Sequence, residues 1–186
     1  MHNTQLKRML IFAVLVSLLL TACSSSEEKA RAIYNSAVTK NKASHPAEYE
    51  QDLRSITSQY GSTAVATEAA KELAAIEKDR IDAEKVAVIT LRTIHTASVT
   101  YLITSQGKYP RSLFDLAKEN LMPAGSFRNQ WYENIMTTAP DLRSFIVTAT
   151  PERKDWNYFF ISSEDGKVRF ERGKPATKDS SEYHEQ

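Results

Sequence analysis

Cysteine is nearly absent: Cys23 stands alone among 186 residues. No intramolecular disulfide can form, so packing alone must hold the fold. Charge of one sign is lacking too, with 24 basic against 23 acidic residues and a formal charge of +1. Without a basic surplus there is no electrostatic argument for a nucleic-acid partner, which needs concentrated positive charge to displace phosphate counterions. Only five glycines and six prolines occur, and no glycine-rich phosphate loop is among them. Of the four histidines, no two have metal-ligand spacing. No nucleophile stands beside a recognisable base, so no enzyme class is indicated. Neither a cofactor nor a metal is expected.

What is present begins at the N-terminus. Lys7 and Arg8 precede an apolar run from Met9 to Leu20, interrupted only by Ser17. The run is shorter than the roughly 20 apolar residues that span a bilayer, and its flanks fit a secretory signal peptide. It ends in Leu20-Thr21-Ala22-Cys23, an aliphatic residue and two small ones before the cysteine. This resembles the lipobox of bacterial lipoproteins. The resemblance implies signal-peptidase recognition of Leu20, Thr21 and Ala22, cleavage before Cys23, and acylation of Cys23. Each buried acyl methylene would contribute about 0.8 kcal/mol, and two or more chains would make attachment durable. It further implies a membrane-anchored protein facing the periplasm or cell exterior, with the outer membrane favoured in a two-membrane cell because Ser24 is not aspartate. Cleavage would remove Lys7 and Arg8 and leave 22 basic against 23 acidic residues.

The expected organisation is a signal peptide (1–22), a lipidated tether (23–27), a helical segment (28–80), an α+β domain (81–173) and a flexible polar tail (174–186). Ala30, Ile33, Tyr34 and Ala37 predict a helix over Glu28–Asn41. His45-Pro46 interrupts it, and Tyr49, Leu53 and Ile56 mark a second helix over Ala47–Gln59. Gly61 stops that one, and Ser62 or Thr63 caps the next. A third helix, with Val65, Ala69, Leu73 and Ile76 on one stripe, either runs on for some forty residues or bends near Asp79–Asp82. The Tyr60-Gly61-Ser62 turn, with Ala66, Glu68, Ala69 and Leu73, resembles a fragment of a tetratricopeptide array.

From Val86 to Gln106 the only charged residue besides titratable His95 is Arg92. Val86, Ile89, Ile94, Ala97 and Tyr101 fall on one side of a helix, and Val88, Leu91, Val99 and Leu102 on much of the other. Such a helix is expected to be covered on more than one face. Its β-branched content leaves a strand reading open. A short helix follows over Arg111–Glu119, with Leu113, Phe114 and Leu116 on its buried side. Strands are predicted at Ser144–Thr150, Asn157–Ser162 and Lys167–Glu171, the last two joined by an Asp165-Gly166 turn. Trp131-Tyr132, Trp156 and Tyr158-Phe159-Phe160 read as sheet core or, alternatively, as an aromatic lining for a ligand.

Leu91-Arg92-Thr93-Ile94, Thr96-Ala97, Thr100-Tyr101, Gly107-Lys108-Tyr109-Pro110, Phe145 to Pro151 and the Asp165–Phe170 hairpin follow one another along the chain. In that order they resemble the globular part of type IV pilin-like proteins, including the pseudopilins of type II secretion. The resemblance covers Ala83 to Thr177. It implies a long helix packed on a small antiparallel β-sheet; with the helical hairpin read before it, the expected fold is α+β. The filament-forming N-terminal helix of pilins has no counterpart here, so polymerisation is not implied. Calcium binding by Asp165, Asp179 and Glu182 is not expected, because they are spread across a turn and a tail.

The sequence thus points to a non-enzymatic interaction or scaffold lipoprotein, with a pilus or secretion component as candidate partner. Arg92, His95, Tyr101, Tyr109, Trp131 and Trp156 are the candidate interaction or packing residues. The alternative is a ligand-binding envelope lipoprotein with an aromatic-lined pocket.

Overall fold

The computed structural model describes residues 26–184. The fold is α+β, with one long helix and a five-stranded antiparallel sheet. The described chain divides between Glu77 and Lys78 into two compact units.

The first unit is helical. Helix α1 occupies residues 26–40, α2 runs Pro46–Gln59, and the opening turns of α3 (Ala64–Thr104) complete it. Pro46 is tolerated at the start of α2 because the first N–H of a helix has no partner to lose. Thr63 caps α3: its Oγ1 accepts the Ala66 N–H at 3.1 Å. The Glu27 carboxylate accepts the Ala64 N–H at 3.0 Å, placing negative charge at the positive end of the helix. Ala30, Tyr34 and Ala37 from α1 pack with Tyr49, Leu53 and Ile56 from α2 and Val65, Ala66 and Ala69 from α3. The predicted apolar stripes are therefore the ones that meet.

The second unit places the rest of α3 against a sheet of strand order β1-β2-β3-β4-β5. The strands are β1 (Tyr132–Thr138), β2 (Phe145–Pro151), β3 (Asn157–Ser162), β4 (Arg169–Arg172) and β5 (Ser181–Glu182). Between α3 and β1 lie the short helix α4 (Leu113–Lys118) and a 3-10 turn (Ala124–Phe127). Ala83, Ala87, Val88, Leu91, Ile94 and Ala97 of α3 share one core with Val147, Ala149, Phe159 and Ile161 of the sheet. Each fully buried Val, Leu, Ile or Phe side chain of this set contributes about 1.5–3 kcal/mol through removal from water. A buried polar network crosses the same unit. The Glu84 carboxylate takes an ion pair from Arg80 at 2.5 Å and the Asn157 Nδ2 at 3.0 Å. The Tyr132 hydroxyl donates to the Asn157 carbonyl at 2.9 Å.

Helix α3 is a single helix of 41 residues, so the strand reading of Val86 to Gln106 gives way to helix. Its end uses two residues in the left-handed region rather than the expected glycine alone. Gln106 has φ 55° and Gly107 φ 77°, which lets the Gly107 N–H reach back to the Leu102 carbonyl at 3.0 Å. Helix α4 ends the same way at Asn120, φ 56°, with the Leu121 N–H on the Leu116 carbonyl at 2.9 Å.

Four expectations need correction. Val86 and Ile89 are exposed rather than buried, because the sheet covers only the side of α3 that carries Ala87, Leu91 and Ile94. Phe114 is 68% exposed, because Leu113 and Leu116 alone turn the inner side of α4 to the core. Strand β1 was not foreseen; it pairs along its whole length with β2, from Tyr132 opposite Pro151 to Thr138 opposite Phe145. The tail from Lys174 to His184 is fastened rather than loose. Strand β5 pairs with β4, and Tyr183 packs edge-on against Phe159 and Phe170.

Candidate functional site

Side chains a helical turn apart share one face, and where that face meets water it is normally charged or polar throughout. The outer side of α3 breaks that pattern. Ile89, Thr93, Thr96, Thr100 and Ile103 recur at three- and four-residue intervals, so they form one stripe. Ile89 is 61% exposed and Ile103 78%. The threonine hydroxyls do not face water as free donors. Thr93 donates to the Ile89 carbonyl at 2.8 Å, Thr96 to Arg92 at 3.0 Å and Thr100 to Thr96 at 3.0 Å. Back-bonding of this kind satisfies the hydroxyl within the helix and leaves the methyl as the outward group. The stripe is therefore more apolar than its composition suggests. Leu121 closes one side of it, forming an open groove of about 400 Å³ with Ile89, Arg92, Thr93, Thr96 and Thr100.

Helix α3 is also long and apolar enough to cross a membrane by length and composition. Its inner side, however, forms the core of the second unit, with Leu91 and Ile94 fully buried.

The candidate residues named from sequence do not converge on one place. Arg92 is exposed and lines the groove. His95, half-buried, lies one flank away, with its ring 5.8 Å from that of Phe145. Tyr109 meets Phe145 edge-on at 4.9 Å, and its N–H donates to the Leu142 carbonyl at 2.9 Å. Tyr101 and Trp131 are partly buried against the same core. Trp156 is 5% exposed and sits beneath the Arg153 guanidinium, which lies 5.3 Å from its ring. It serves as core, and its ring faces are occupied by protein. Leu20, Thr21, Ala22 and Cys23 lie outside the described residues.

Sequence reasoning missed the stripe itself, having assigned Ile89 to the covered side. The signal was present: five uncharged residues at helical spacing, with no acidic or lysine side chain among them.

Other polar clusters are internally matched. In the first unit the Glu72 carboxylate accepts the Tyr34 hydroxyl at 2.5 Å, the Tyr49 hydroxyl, and Lys42 at 3.3 Å. Burial, and then the nearby carboxylate, push both phenols above their ordinary pKa. Burial alone would raise Glu72, but the hydrogen bonds from Tyr34, Tyr49 and Lys42 outweigh it and hold the carboxyl below its usual range. In the second unit Asp165 pairs with Arg169 at 2.5 Å, which holds its carboxyl down at about 2. Glu182 pairs with Lys167 at 2.8 Å. Among the described residues no cluster of His, Cys, Asp and Glu is placed to hold a metal ion. In comparisons with protein-family models, curated proteins and solved structures, none matches the chain.

Proposed function

We propose that the protein is an extracytoplasmic lipoprotein, anchored through Cys23, that works without catalysis as a docking or scaffold protein for another envelope component. The observation that carries this reading is the uncovered stripe of α3. Depletion of charge together with exposed aliphatic side chains is the compositional mark of an interface centre. Singly scattered exposed apolar residues would carry no such weight. Here Ile89 and Ile103 stand on one line with the methyls of Thr93, Thr96 and Thr100 between them.

The long helix against a small antiparallel sheet is the arrangement that the pilin-like resemblance implies. A pilus or secretion component is accordingly the candidate partner, by analogy of fold, which does not itself establish function. The leader and lipobox supply the proposed location.

The test is photo-crosslinking in living cells from a probe at Thr96, compared with a probe at Thr148 on the outer face of the sheet. A defined adduct from Thr96 alone, lost in the Cys23→Ser variant, supports the reading. Equal or absent adducts from both positions count against it.

A further inference from the structure

His95 lies on the flank of α3 between Leu91 and Ser98, one helical turn from each. Its ring faces the turn that joins β3 to β4. A Cβ placed on Gly166 would fall 3.1 Å from His95 Cε1 and 3.2 Å from Nε2. Gly166 also has φ 63°, a conformation that side-chain-bearing residues seldom adopt. The backbone of the turn thus rests directly on the imidazole, an approach that only glycine permits. On another side the Phe145 ring stands 5.8 Å away. Among the described residues neither ring nitrogen has a hydrogen-bond partner.

The charged groups near the ring are few. From the turn comes Asp165, whose carboxylate is already engaged by Arg169, by the Lys167 N–H at 3.1 Å and by the Ser162 hydroxyl at 3.4 Å. Lys167 and Arg169 belong to the same turn and strand. From α3 itself comes Arg92, one turn earlier. Strand β2 offers only Phe145, with Tyr109 behind it. Burial lowers the imidazole below its ordinary value of 6.5, and the Asp165 charge opposes that only in part.

We propose that His95 is an acid-released latch: the neutral ring clamps the Asp165-Gly166 turn to α3, and protonation frees the turn. An imidazolium needs water or an anion at both nitrogens. The Gly166 backbone lies against the Cε1–Nε2 edge of the ring, while the nearest carboxylate is held by Arg169. Lifting the turn is the local movement that lets water reach the charged ring. Because the folded-state pKa lies below the unfolded one, the latch is intact above the unfolded value. It is lost as pH falls through that value towards the folded one. Each pKa unit of depression corresponds to about a tenfold change in the closed-to-open ratio.

The experiment is amide hydrogen exchange on the full chain at pH 7.5 and pH 5, corrected for the intrinsic pH dependence of exchange. Gly166 and Lys167 are the reporters and Val147 in β2 is the control. The expected result is a loss of protection at the turn in acid, with Val147 unchanged. His95→Phe keeps a ring in place and should leave protection equal at the two pH values. His95→Gln serves the same purpose if the phenylalanine variant misfolds. The proposal is overturned if the turn keeps its protection at pH 5. It is equally overturned if the non-titrating variants open as the wild type does, or if Val147 loses protection in parallel.

Discussion

The two units solve the same problem with different means. The first unit builds its core from alanines, two tyrosines and a few aliphatic residues, with sequence neighbours supplying most of the packing. Its tyrosines direct their hydroxyls to one carboxylate, Glu72, which is only partly shielded. The second unit gathers Tyr132, Phe145, Trp156 and Phe159 of the sheet region into one core with Leu91 and Ile94 of α3 and contains a largely buried Arg80–Glu84 pair. The difference teaches where each unit is vulnerable. Loss of volume should hurt the second most, whereas the first should feel the protonation of a single side chain.

That contrast is sharpest in Phe159, fully buried at the centre of β3. Phe159→Ala is expected to cost about 3–5 kcal/mol, the lost transfer energy plus an unfilled cavity. Urea denaturation followed by near-ultraviolet circular dichroism would measure it, and a cost below that of Ala30→Gly in the first unit would break the comparison. Next comes Glu84→Ala, which leaves the Asn157 amide without its buried acceptor and removes the 2.5 Å ion pair with Arg80. A loss of about 2–3 kcal/mol is expected, read from the same denaturation curves.

In the first unit Tyr49→Phe removes one donor to Glu72 at a partly exposed site, so about 1 kcal/mol is expected at pH 7. Its pH dependence carries the sharper test. The Glu72 carboxyl is held below its usual range when folded, so its stabilising contribution is present above the unfolded pKa of about 4.5. That contribution disappears as pH falls through the folded value. The stability gap between Tyr49→Phe and wild type should therefore narrow between pH 5 and pH 3. A gap that stays constant would show that the phenol acts through packing alone. The smallest effects lie at the helix end and on the outer stripe. Gln106→Gly relieves a left-handed φ and should stabilise by up to about 1 kcal/mol, visible as a raised Tm. Thr96→Val should alter stability by no more than about 0.5 kcal/mol, yet Thr96→Lys should abolish capture of a partner that docks there.

Much of the local architecture was legible because it is governed by chemistry a few residues apart. A cap at Ser62 or Thr63, which the structure assigns to Thr63, the helix break at His45-Pro46, and Gly166 at the hairpin all follow from backbone groups that need a partner or a permitted φ. Strand β1 was not legible. Glu133, Asn134 and Met136 have weak strand preference, and the segment is extended because β2 offers it a ladder and Tyr132 reaches the Asn157 carbonyl. The tail was misjudged for a related reason: Tyr183 is one aromatic residue among polar neighbours, and only the pocket formed by Phe159 and Phe170 gives it a place.

Helix α3 marks the boundary between the two kinds of information. The sequence by itself determined that residues beyond Val86 form an element almost free of charge, and that it ends near Gly107. It also carried the Leu20-Thr21-Ala22-Cys23 run that resembles a lipobox, a resemblance that needs no fold to be read. Only the tertiary structure decided which side of α3 meets the sheet. With aliphatic or β-branched residues on both sides, periodicity specifies a helix but not its rotation. The phase is set by the sheet, whose Ala149 and Val147 admit Leu91 and Ile94 and leave Ile89 and Ile103 facing outward.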